Sequence, residues 1–81
     1  MAGDLDRENP REELFERVRT AAAAFYAASG QHATVLAEFG EMLDHPDGAT
    51  AVLQAARYEG KALQDYDRAV KALSDFLALE R

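Results

Sequence analysis

Apolar positions in the first half of the chain step by alternating fours and threes: Leu14, Val18, Ala21, Phe25, Ala28, His32, Val35, Phe39 and Met42. That spacing is a heptad, and it predicts a helix with one stripe facing another helix. A second line, Phe15, Ala22, Ser29, Leu36 and Leu43, runs beside the first and widens the stripe. The phase is unbroken through Ser29-Gly30, and a mid-helix Gly costs only about 1 kcal/mol relative to Ala. The pattern therefore predicts one helix over about 10–44, with a break at Gly30 and a three-helix bundle as the alternative. Asn9-Pro10-Arg11-Glu12 marks its start. Asn9 is a cap, Pro10 suits the first helical position, and Glu12 is placed to reach back as in a capping box.

Asp44-His45-Pro46-Asp47-Gly48 ends this pattern, and Asp47 is the expected cap of the next helix. A second helical pattern covers about 49–79. Leu63, Tyr66, Val70, Leu73 and Leu77 form its stripe, with Ala62, Ala69 and Phe76 alongside. Extended backwards, the same phase reaches Glu59, Ala56 and Val52. Lys61–Asp65, Asp67–Lys71 and Lys71–Asp75 are spaced as ion pairs on a solvent face. Two helices of similar length joined by a short turn form an antiparallel hairpin, with position i near position 93 − i. The expected fold is all-α, a long helical hairpin completed to a four-helix bundle by dimerisation. Residues 1–8 are mixed Gly, Asp, Glu and Arg and read as a flexible tail; residues 9–81 read as one helical domain.

The stretch Thr20–Ala37 is rich in alanine and carries no charged side chain. A helix that is polar on no face needs cover on more than one, and its hairpin partner covers only one. Ala23, Ala24 and Ala27 permit close approach of another helix. With Tyr26, and with Tyr58 lying off the main stripe of the second helix, they are the expected partner interface.

Charge sharpens this. The net charge is −6, which argues against unspecific binding to nucleic acid or to anionic membranes. No Lys or Arg lies between Arg19 and Arg57, whereas Glu38, Glu41, Asp44 and Asp47 all do. One end of the hairpin is thus an acidic tip, either a solvated end or a dock for a basic surface. The acidic start excludes a secretory signal, and the uncharged stretch is too polar for a bilayer span. A soluble, cytoplasmic protein is expected. Cysteine is absent, so no disulfide or thiolate site is available.

His32 and Glu59 are the polar residues at expected core positions, and the hairpin brings them near each other. A polar layer that fixes register is the preferred role. An outward-turned pair is one alternative. A metal or acid–base site is another, and a competent ligand shell would need two copies. His45, beside the turn proline, is expected to be solvated or capping. The segment Arg57–Ala69 is similar in composition to later helices of ferritin-like bundles, but the Glu-x-x-His pair of the diiron members is absent. No phosphate loop, Gly-x-Ser-x-Gly or Cys nucleophile occurs, and no catalytic residue or cofactor is expected.

The turn HPDG (45–48) and the string AVKALSD (69–75) resemble, in shape alone, the needle subunits of type III secretion systems. That resemblance implies a structural subunit of a secretion-type or filamentous assembly. The residues themselves favour a non-enzymatic interaction protein, a small regulator, inhibitor or adaptor. It would act as a homodimer or bind a partner helix through its first helix.

Overall fold

The computed structural model describes residues 9–80, so the expected tail at 1–8 lies outside the described residues. Two long helices make up the fold: α1 (Pro10–Phe39) and α2 (Pro46–Leu79), joined through a 3-10 turn at Gly40–Met42. They pack antiparallel as a hairpin with extents of 57 × 27 × 15 Å. A helix with its side chains is about 10–12 Å across, so the molecule is a single helical layer.

Local chemistry explains both helix starts. Asn9 Oδ1 accepts from the Glu12 N–H at 3.3 Å, and Pro10 occupies a first-turn position where its missing N–H is not needed. α1 then runs unbroken through Gly30, where an added Cβ would meet open space, so the three-helix alternative does not hold.

Three boundaries differ from the sequence pattern. α1 ends at Phe39 and not near 44, because the chain tightens into 3-10 geometry at Gly40. α2 begins at Pro46, earlier than the expected 49. The proline that stops the first pattern serves as the first residue of the second helix, where its fixed φ is already helical. The cap of α2 is His45 rather than Asp47: His45 has extended geometry (φ −97°, ψ 135°), and its Nδ1 accepts from the Asp47 N–H at 3.2 Å. Asp47 stands one step inside, with its carboxylate at the positive end of the helix dipole.

Because α1 ends earlier and α2 starts earlier than the sequence pattern predicts, the centre of the turn moves back along the chain. Arg11–Glu80, Phe25–Tyr66 and His32–Glu59 therefore place position i opposite position 91 − i, two residues from the expected register.

The seam of α1 follows its heptad line. Leu14 through Phe39 on that line are all buried or half-buried, while Met42, at its end, is exposed. On α2 the seam is rotated from the expected stripe. Ala55, Ala62, Ala69 and Phe76 face α1 together with Val52, Glu59, Tyr66 and Leu73, whereas Leu63 and Val70 are exposed. The fully buried core residues are small: Ala28 is 1% exposed, Ala69 4% and Ala55 8%. Alanine at the contact lets the helix axes approach closely, which moves the bulkier aliphatic side chains to the flank. Phe25 and Tyr66 stack across the seam, ring centroids 6.3 Å apart and 10° from parallel. At the open end the Arg11 guanidinium grips both Glu80 carboxylate oxygens at 2.8 and 2.9 Å. Of the expected surface pairs, Lys71–Asp75 forms at 3.2 Å, and Asp65 turns instead to Arg68.

Candidate interaction face and its polar layer

At about 100° per residue, the helices divide the surface beside their seam into two unlike sides. On one, α1 presents Phe15, Ala22, Tyr26 and Leu36, and α2 presents Leu53, Ala56, Leu63 and Val70. Six of these are large apolar residues exposed to solvent, Tyr26 at 73%. The opposite side is a shallow groove of about 720 Å³, with Glu13, Glu16, Arg17 and Thr20 from α1 facing Asp65 and Arg68 from α2 over a floor of Ala21, Ala24 and Ala69.

The expected interface residues are split by this geometry. Tyr26 lies on the apolar face, its ring 6.1 Å from Phe25. Ala24 lines the charged groove, and helical phase puts Ala27 and Tyr58 toward the same side. Ala23 is exposed and points away from α2. On α2, Asp65 and Arg68 put charge on the groove side. Leu53, Leu63 and Val70 occupy the other flank. The sequence pattern assigns Leu63 and Val70 to the seam and does not single out Leu53. Their clue is the spacing Leu63, Val70, Leu77, parallel to but offset from Ala55, Ala62, Ala69, Phe76.

Between the two aliphatic ends of the apolar face lies a polar layer. His32 Nδ1 is 2.8 Å from Glu59 Oε1, and Ser29 Oγ donates to Glu59 Oε2. An ionised carboxylate only accepts, so His32 must donate from Nδ1. The His32 and Glu59 side chains are 25% and 27% exposed. Hydrogen bonds from Ser29, first, and from His32 hold the Glu59 carboxyl below its ordinary range. The apolar pattern gives no sign that Ser29 belongs with this pair. It lies one turn before His32 and reaches the same carboxylate.

Ser29 donates to the carboxylate and not to the imidazole, so the order of contacts differs from that of a Ser–His–Asp triad. One chain supplies two candidate metal ligands here, and among the described residues no group of three or more His, Asp and Glu converges.

The acidic tip is laid out along the turn. Glu38 ends α1, Glu41 sits in the 3-10 turn, Asp44 comes after it and Asp47 opens α2; all four are exposed. Glu38 and Glu41 lie at the negative end of the α1 dipole without a basic residue in its last turn, a local electrostatic cost.

Among the described residues no helix is long and apolar enough to cross a membrane. Compared with known proteins, the chain matches no family model, and no curated protein or solved structure matches it significantly.

Proposed function

We propose that this chain is a non-enzymatic interaction protein, a small regulator or adaptor whose working surface is the apolar face of the hairpin. The observation that carries this reading is an inversion of burial. The residues sealed between the helices are alanines, while Phe15, Tyr26, Leu36, Leu53, Leu63 and Val70 stand open on one face. Monomeric proteins rarely leave contiguous apolar patches beyond a few hundred Å² uncovered, and larger ones mark contact sites. The Ser29–His32–Glu59 layer fixes which helical register presents that face. The acidic turn end supplies a second, electrostatic contact for a basic surface.

Co-purification from the natural source, comparing the wild-type chain with Leu63→Glu, tests this. Leu63 is exposed, so the variant keeps its hairpin, which far-UV circular dichroism verifies. An associated protein, a second copy or a different helical chain, stays with the wild type and is lost from the variant. Equal recovery with both chains contradicts the proposal.

A further inference from the structure

The face has a size, a symmetry and a charge pattern that together specify an occupant. We infer that it is covered by a second copy of this chain, packed face to face with the hairpins pointing in opposite directions. This rests on the interaction reading above and identifies its partner.

Size comes first. From Phe15 to Leu36 the face runs about 32 Å along the helix at 1.5 Å per residue, and two packed helices make it about 20 Å wide. That is about 650 Å² on each copy, or about 1,300 Å² in total, within the standard range for a specific interface.

Symmetry comes second. In the 91 − i register Leu53 lies near the level of Leu36, and Leu77 near that of Phe15. A two-fold axis across the face at the level of Tyr26 and Leu63 then sets Phe15 against the second copy's Leu36, and Leu53 against its Leu77. The contact is isologous and closes. The same operation lays Ala22 and Val70 of each copy over the other's Ser29–His32–Glu59 layer. That layer accepts cover because its carboxylate is bonded on both oxygens from within the chain.

Charge decides direction. A parallel pair, with the axis along the helices, also matches apolar levels, but it brings together both copies of the acidic tip, Glu38, Glu41, Asp44 and Asp47, where no Lys or Arg from residue 20 to 56 offsets them. The opposed arrangement sets each tip toward the other copy's open end, where Arg11, Arg17 and Lys71 are interleaved with Glu13, Glu16, Asp75 and Glu80, and where Arg11 and Lys71 already pair with Glu80 and Asp75. Facing this mixed-charge end is less repulsive than facing a second all-acidic tip, and the difference acts within a Debye length of about 8–10 Å.

The absence of cysteine makes cross-linking clean. Unmodified chain is first sedimented at tens of micromolar. Phe15→Cys chains are then mixed with Leu36→Cys chains under mild oxidation, and Leu53→Cys with Leu77→Cys as an independent pair. A dimer whose disulfides join the mixed partners in both experiments, in excess over either homodisulfide, is the expected result. Phe15→Cys is mixed in the same way with Leu77→Cys, and Leu36→Cys with Leu53→Cys; a dimer that joins these pairs instead overturns the opposed direction. A monomer in sedimentation overturns the second copy as occupant. The interaction reading fails separately, when Leu63→Glu and wild type recover the same protein from the source.

Discussion

Glu59 occupies a seam position that a helical hairpin ordinarily fills with an aliphatic side chain, and two donors from α1 hold it there. Its lowered pKa has a definite consequence for acid stability. In the acid range the unfolded chain binds this proton more readily than the folded one. The contribution is therefore fully present above the ordinary carboxylate value of about 4.3 and is lost as pH falls through the lowered folded value. Glu59→Gln removes this part of the acid dependence. Urea unfolding between neutral and about pH 3 should show a shallower loss of stability for the variant, and an unchanged slope contradicts the role assigned to the pair. His32 and Glu59 are visible in the sequence because each interrupts an apolar line. Ser29 is not, because a serine within an alanine-rich helix carries no pattern of its own, and only the register shows that it shares His32's partner.

Two glycines separate what a helix tolerates from what a turn requires. Gly30 is mid-helix with open space at its missing Cβ, whereas a Cβ at Gly48 would overlap the Met42 carbonyl oxygen and lie 2.8 Å from Met42 Cβ. Gly30→Ala should stabilise by about 1 kcal/mol, raising the melting temperature by roughly 4–8 °C. Gly48→Ala should destabilise by about 1–3 kcal/mol through overpacking where α2 starts against the turn. Thermal unfolding of the two variants checks both signs, and a stabilised Gly48→Ala contradicts the close approach. The heptad of α1 is readable because its large and small apolar positions alternate on one line. The seam of α2 is not, since two apolar lines one residue apart run along it. The larger side chains point to Leu63 and Val70, while packing distance favours the alanines. The turn is displaced for a related reason: Pro46 reads equally as a stop for one helix and as the first residue of the next.

At the scale of the molecule, a layer 15 Å thick has too little depth to bury its own large side chains. The hairpin is legible from periodicity and the HPDG turn. Which flank stays open is not, because it depends on the rotation of α2 about its axis, and a shift of one residue turns a helix by about 100°. The measurement closest to the central claim is the melting temperature of the purified chain over a roughly hundredfold range of concentration, for wild type and for Leu63→Glu. Association stabilises by mass action. A melting temperature that rises with wild-type concentration, and is lower and concentration-independent in Leu63→Glu, is the predicted result. Identical melting at every concentration in both chains would contradict the account.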